Sequence, residues 1–321
     1  MTMSHRCFFV MTLTAAWLAM VLATSGCDQA PAASEASVSP EAITFTDDAG
    51  RSLTLDRPAE RIVAGASFAV ELLMALDHPP VLRPDVPKRK IHPEAARSIS
   101  TFAVTHGAGP EVESLAAAKP DLVILHVNFA PFADNIQQTL GIPVALMEVA
   151  SVDDVATKLT LLGRIIGKPQ RAAEQVAKLQ REIDAISGVD SAQGLRALAL
   201  FGTPDAFYAY RETSYIGSMI KRLGAENIAA DDPAFGKMRS VAPLDLEQAV
   251  ARSPQVIVIL PHGPAPMVIK HLGAHPAWAQ IQAVKDQRVH VLDEVLFSSN
   301  PGPRASEAMR QLKALLEPDA K

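Results

Sequence analysis

The sequence predicts an α/β fold in which two lobes, each built on a mainly parallel sheet, are joined by a single long rigid α-helix and leave a cleft between them. Three observations carry this. Short continuous apolar runs, among them Leu122-Val123-Ile124-Leu125, Val144-Ala145-Leu146-Met147 and Val256 to Leu260, alternate with helical patterns, as expected of strands covered on both faces by helices. Residues 152 to 187 are strongly helical, with only Gly163 and the Gly167-Lys168-Pro169 break. The two halves also share a sentence: Leu115-Ala-Ala-Ala-Lys-Pro-Asp-Leu-Val-Ile-Leu125 and Leu246-Glu-Gln-Ala-Val-Ala-Arg-Ser-Pro-Gln-Val-Ile-Val-Ile-Leu260 each run helix, stop, buried strand, which indicates pseudo-symmetric lobes.

In chain order, His5 and Arg6 give a positive start and Phe8 to Leu22 is an apolar run too short to span a bilayer comfortably, so a cleaved export signal is expected over a transmembrane helix. The run ends at Thr24-Ser25-Gly26-Cys27, which resembles the lipobox where a bacterial lipoprotein's cysteine is acylated and becomes the new N-terminus. Cys7 and Cys27 are the only cysteines, so the body beyond them has no thiol and no disulfide and must stand on its core. Removing residues 1–26 leaves 295, enough for two lobes of ordinary domain size. Residues 27–42, rich in Ala, Ser, Pro and Glu and lacking aromatics, read as a disordered tether. Asp28, directly after the cysteine, resembles the signal that retains lipoproteins in the inner membrane.

The expected domains are then an N-terminal lobe over 43–151, linking helices over 152–187 and a C-terminal lobe over 188–321. Ile43 to Leu55 alternates around Asp47-Asp48-Ala49-Gly50, a β-hairpin pattern. Arg61 to Gly65 is a short buried strand, Phe68 to Leu76 an apolar-periodic helix, and Ile136 to Leu140 another helix between the two strands named above. Pro169 should start a fresh helix running to about Ile186, roughly 27 Å at 1.5 Å per residue, a spacer and not a flexible hinge. The second half repeats the Rossmann-like grammar: Ala197 to Phe201 strand, Ser214 to Leu223 helix, Leu244 to Arg252 helix, Val256 to Leu260 strand, Trp278 to Ala283 helical turn, Arg288 to Leu292 strand and Arg304 to Leu316 closing helix.

Net charge is −5, and beyond Lys88-Arg89-Lys90 there is no dense basic run, so nucleic acid is not an expected partner. No Gly-rich phosphate loop, no Gly-x-Ser-x-Gly elbow and no His-Glu-x-x-His helix occurs, so an enzyme is not expected. His262 follows the apolar strand in Leu260-Pro261-His262-Gly263-Pro264, on a loop at a strand's C-terminal end, where α/β folds place ligands. All three tyrosines, Tyr208, Tyr210 and Tyr215, fall in the second lobe, while Arg211, Arg239 and Arg304 offer guanidinium groups suited to ligand carboxylates.

The chain resembles the iron-siderophore, haem and cobalamin periplasmic-binding proteins of ABC importers. The resemblance runs from about residue 43 to 316 and rests on Arg57-Pro58-Ala59-Glu60-Arg61-Ile62-Val63, the Lys-Pro-Asp-Leu-Val strand, Tyr215-Ile216-Gly217, Leu223-Gly224-Ala225-Glu226-Asn227 and Ala283-Val284-Lys285-Asp286-Gln287-Arg288-Val289. It implies two lobes on one long helix, a monomer exported and anchored by lipid at Cys27 on the periplasmic face of the inner membrane, and partners in an ABC permease dimer and its ATPase. It implies no permanent cofactor: haem, or a ferric siderophore or corrinoid, is the transported ligand. It also implies a glutamate on the exposed rim of each lobe pairing with permease arginines, and Glu71 and Glu247 fall at the matching places.

The C-terminal lobe is most similar to the haem-receptor lipoproteins of bacterial cell-wall haem relays, which implies His262 as an axial ligand to haem iron. The opposing ligand is expected between Val81 and Glu113. His106 lies within two residues of the place where those receptors carry a methionine, and His92-Pro93 lies near where other periplasmic haem binders carry Tyr-Pro. Tyr210 and Tyr215 would stack on a flat ligand or contact a ferric centre, and Arg239 and Arg304 would pair with its carboxylates. The alternative is a receptor for a bare zinc or manganese ion on the same plan, held by a set such as His92, His106, His126 and His262.

Overall fold

The computed structural model describes residues 42–86, 94–105, 109–187, 192–202, 206–236, 238–297 and 302–317. The alternating start folds as its period of two dictates: β1 (Ile43–Thr46) pairs antiparallel with β2 (Ser52–Leu55), putting Phe45 opposite Leu53 with both buried. Asp47, in the turn, decides where this hairpin docks. Its carboxylate accepts from the backbone N–H groups of Ala49, Arg51 and Leu146 and from the Arg51 guanidinium, which also donates to the carbonyl of Val144. Asp48 adds a bond from its N–H to the Leu146 carbonyl, accepts from the Glu148 N–H, and pairs with the buried Lys158 at 2.6 Å.

The turn thereby covers the edge strand Val144–Met147 of the first sheet, an edge that would otherwise invite pairing with another chain. Burial pushes the Asp47 carboxyl up, but the Arg51 and Leu146 backbone bonds and the Arg51 charge outweigh it and leave the pKa below its ordinary value. A depressed carboxylate stabilises the fold above its ordinary pKa, and that contribution is lost as pH falls through the lowered value. Asp47→Ala is expected to cost about 1–3 kcal/mol in urea unfolding at pH 7, since it orphans buried N–H groups; the gap to wild type should narrow in acid. Equal stability at pH 7 would show that the clamp contributes nothing.

The first sheet is β3 (Ile62–Ala64), β8 (Leu122–His126) and β9 (Val144–Met147), all parallel in that order, with short ladders β4 (Arg83–Pro84) with β5 (Thr101–Phe102) and β6 (Val104–Thr105) with β7 (Gly109–Pro110) nearby in sequence. Its helices are α1 (Ser67–Ala75), α2 (Val112–Ala117) and α3 (Ala130–Leu140). Helix α3 begins six residues before the expected Ile136 because Pro131 sits in its first turn, and it ends at Gly141, whose φ of 67° suits glycine.

The connection between the sheets is a pair of helices, α4 (Val152–Ile165) and α5 (Pro169–Ser187), the second 19 residues long. Ser151 and Asp154 form a capping box at the start of α4. Gly163 is a glycine because α5 lies against it: a Cβ there would stand 2.3 Å from that of Ala172.

The second sheet is mixed. Strands β10 (Arg196–Gly202), β14 (Val256–Pro261) and β15 (Val289–Val291) run parallel, β12 (Glu226–Asn227) pairs parallel with β10, and β11 (Phe207–Tyr210) and β13 (Val241–Pro243) run antiparallel, in the order β13-β11-β10-β14-β15. Its helices are α6 (Tyr215–Arg222), α7 (Leu246–Arg252), α8 (Ala265–Gly273), α9 (Gln282–Lys285), α10 (Glu294–Phe297) and α11 (Ala305–Leu316), the last preceded by a 3₁₀ turn over Gly302–Arg304. One continuous core joins both sheets: Ile62, Leu122 and Ile124 from the first and Ala197, Val258 and Leu260 from the second meet through α4, α5, α6 and α11.

Candidate functional site

The period of two along each strand decides what stands at its C-terminal end. In β10, Ala197 and Ala199 face the shared core, so Phe201 follows them; in β14, Val256, Val258 and Leu260 do, and His262 continues the series on the next residue. Tyr208 and Tyr210 share a face of β11 against the same residues. The rings meet: Phe201 lies 5.6 Å from His262, 6.2 Å from Tyr208 and 6.1 Å from Tyr210 between centroids, and Tyr208 lies 4.9 Å from Phe235. His262 is exposed, and its main-chain N–H donates to the Gly202 carbonyl at 2.7 Å, fixing the loop at the strand end.

In the first sheet Leu122 and Ile124 face the shared core and His126 follows them at the end of β8. Its ring meets Phe68 edge-on at 6.3 Å and its Nδ1 accepts from the Asn128 N–H. With that lone pair taken, the neutral ring carries its proton on Nε2, and burial holds its pKa below the ordinary value. His106, His92 and Cys27 lie outside the described residues. Among the described residues no three His, Cys, Asp or Glu side chains gather to hold a metal ion.

The other expected site residues divide. Burial pushes the Tyr210 phenol well above its ordinary pKa, so it offers a ring face and not a phenolate. Tyr215, expected at the ligand, is 5% exposed and its hydroxyl has no hydrogen-bond partner among the described residues; it packs inside, with burial again raising its pKa. Arg239 is exposed, whereas the Arg211 guanidinium donates through Nη1 to the Arg239 carbonyl at 2.7 Å.

Glu71 corrects the expectation of an exposed rim residue. It is 4% exposed in α1 and accepts two bonds from Arg304, Nε at 2.9 Å and Nη2 at 2.5 Å, so the guanidinium assigned to a ligand carboxylate is committed to a protein one. Burial lifts Glu71 to about 7 against the opposing pull of Arg304, while the bond to Glu71 raises Arg304. The pair ties the first-sheet helix α1 to the turn before α11, and Gly302 packs on Leu72 with its would-be Cβ 3.2 Å away.

A groove of about 520 Å³ runs between the start of α4 and the face of α6, lined by Asp153, Glu212, Ser218, Lys221 and Arg222. Its charges are spent on one another, Lys221 with Glu212 at 2.6 Å and Arg222 with Asp153 and with Asp184 at 3.5 Å. Among the described residues no histidine or tyrosine lines it, and the ring shelf at the strand ends is the better candidate site.

A family model described as periplasmic binding protein matches residues 62–296, most of the chain. The chain belongs to the periplasmic binding protein family. Among curated relatives it is 26% identical over 280 residues to the Fe(3+) dicitrate-binding periplasmic protein FecB of Escherichia coli K12, covering 83% of this chain and 87% of that one. It is 26% identical over 218 residues to the high-affinity heme uptake system protein IsdE of Staphylococcus aureus strain Newman, covering 66% and 73%. The solved structure of S. aureus IsdE complexed with heme matches with a TM-score of 0.67 at 25% identity over 80% of this chain and 98% of that one. As a periplasmic binding protein the chain is a solute-carrying component of ABC import and not an enzyme.

Within this periplasmic binding protein the internal repeat exposes a residue that the sequence reading passed over. Glu247 is exposed in the first turn of α7, six residues before Ser253, which is left-handed at φ 49° and followed by Pro254 and β14. Glu113 is exposed in the first turn of α2, six residues before Lys119, left-handed at φ 46° and followed by Pro120 and β8. Aligning the two shared sentences on their prolines would have found it.

Proposed function

We propose that this protein is the substrate-binding lipoprotein of an ABC importer for haem, ahead of a ferric siderophore or corrinoid. The protein is a binding component for iron-related ligands in ABC import; the choice among them rests on one observation, the run of rings ending in an exposed histidine at the C-terminal ends of β10, β11 and β14. A flat macrocycle gains from offset stacking on such rings, and a loop imidazole is a good axial ligand for its iron. Arg239 supplies an exposed cation for peripheral carboxylates. The names of IsdE and FecB, relatives of similar identity, support iron-chelate transport, and the aromatic lining favours the macrocycle over a small polar chelate.

The first lobe contributes the second axial ligand, His106 ahead of His92. Lipid attachment at Cys27 holds the protein at the periplasmic face of the inner membrane as a monomer. Docking uses Glu247 and, in place of the buried Glu71, Glu113.

Titration with hemin tests the ligand. Wild type is expected to give a shifted Soret band, and His262→Ala to change that spectrum and weaken binding about tenfold or more, the equivalent of roughly 1.4 kcal/mol. His106→Ala and His92→Ala identify the partner by the same change. A wild type that leaves the hemin spectrum untouched rejects haem, and Zn²⁺ or Mn²⁺ binding in its place would install the bare-ion reading.

A further inference from the structure

Large apolar side chains stand exposed at few places among the described residues, and two of them, Phe235 at 42% and Met238 at 47%, belong to one tight turn. Phe235 and Met238 are each held by main-chain bonds. Phe235 and Met238 form an antiparallel bridge, Met238 N–H donates to the Phe235 carbonyl at 2.9 Å, Phe235 N–H donates to Val241 at 2.9 Å, and Gly236 supplies the left-handed residue at φ 57°. Its base is pinned as well: the Arg239 carbonyl accepts from Arg211 and from the Thr213 hydroxyl at 3.0 Å, and the Ser240 carbonyl from the Arg211 N–H at 2.9 Å. A scaffold this fixed holds two apolar side chains in water, where they cost free energy unless something covers them.

The occupant follows from continuity. Phe235 is the last ring of the series His262, Phe201, Tyr208, Phe235, in contact with Tyr208, and the exposed Arg239 comes directly after Met238. An apolar edge beside a cation matches a flat apolar plate with carboxylates on its periphery, and it mismatches a small ferric chelate clothed in oxygen atoms.

We infer that the turn bearing Phe235, Met238 and Arg239 is a specificity element that grips the apolar face and a peripheral carboxylate of a tetrapyrrole and discriminates against small hydroxycarboxylate chelates of iron. This rests on the haem reading and deepens it. Phe235→Ser with Met238→Ser is expected to weaken hemin affinity about tenfold or more and to leave any ferric citrate binding unchanged, because the lost area contacts only the macrocycle. Arg239→Gln should weaken hemin severalfold and relax its salt dependence. Should the double variant lose its thermal transition, Met238→Ser alone serves, since its side chain is half in water, and severalfold weaker hemin binding is expected of it.

Unchanged hemin affinity in the folded variants overturns the assignment while leaving haem as ligand. Unchanged hemin affinity with lost import hands the turn to the permease and also overturns it. Absence of hemin binding by wild type removes the haem reading and this element with it.

Discussion

Arg304→Met is expected to lower the unfolding free energy by about 3–5 kcal/mol at pH 8, because it leaves the Glu71 carboxylate buried with no counter-charge. Glu71 sits among Phe68, Val70, Leu72 and Leu73, all buried, and Arg304 donates two hydrogen bonds to it. The charged groups facing it are few: Arg304, then Glu307 on α11, whose charge adds to the penalty, while the Tyr215 phenol on α6 stays protonated. Burial raises the carboxyl from 4.5 to about 7. For an acid raised in the folded state, the proton-linked stability is complete below the unfolded pKa and is lost as pH climbs through the folded one. The deficit of Arg304→Met should therefore shrink at pH 5, where Glu71 accepts a proton, and Glu71→Gln should flatten the wild-type decline between pH 5 and 8. Joint replacement of both residues by methionine is expected to restore most of the loss, as hydrophobic substitutes for a buried pair do. Urea unfolding at the two pH values measures all of this. A single variant within about 1 kcal/mol of wild type at both would mean the pair is not a structural clasp.

Which features were legible in the sequence follows from how local their causes are. Strands β8, β9 and β14 matched their apolar runs within a residue because burial on both faces leaves no room for polar side chains, and Pro169 marked the start of α5 because proline suits a first turn. Helix α8 was missed: Gly263-Pro264-Ala265-Pro266 reads as loop, yet a proline in the first turn starts a helix as readily as it ends one. The antiparallel β11 and β13 were missed as strands because neither Phe207-Tyr208-Ala209-Tyr210 nor Val241-Ala242-Pro243 is a continuous aliphatic run of the kind that marked the parallel strands.

The site was harder to read for a related reason. Glu71 was placed on a rim, although a lone carboxylate inside Phe68-Ala69-Val70-Glu71-Leu72-Leu73 already signalled burial with a partner; the partner, 233 residues away, was not legible from local pattern. The shelf around His262 was half legible. Strand parity gives Phe201 and His262 a common face, but only the antiparallel return of β11 brings Tyr208 and Tyr210 beside them.

Glu113→Lys combined with Glu247→Lys is expected to abolish import while hemin binding persists. Both carboxylates are exposed on the second residue of a short helix and are followed at the same spacing by a left-handed residue, a proline and a buried parallel strand. Two halves built on one local plan therefore offer two like charges in equivalent settings, and a rigid body with two separated anchors orients itself better than one anchor allows. The family resemblance implies arginines on the permease. A lysine facing an arginine replaces attraction with repulsion of several kcal/mol, so a single reversal should reduce transport about tenfold and the double reversal should leave almost none. Both charges point into solvent at their helix starts, and the hemin spectrum should stay that of wild type. Uptake of radiolabelled hemin into proteoliposomes holding the permease and its ATPase is the measurement, with Glu71→Gln as the contrast, since a buried glutamate has no charge to present. Full import by the double variant would end the docking assignment, whereas import lost by Glu71→Gln in a folded, hemin-binding protein would return that role to α1.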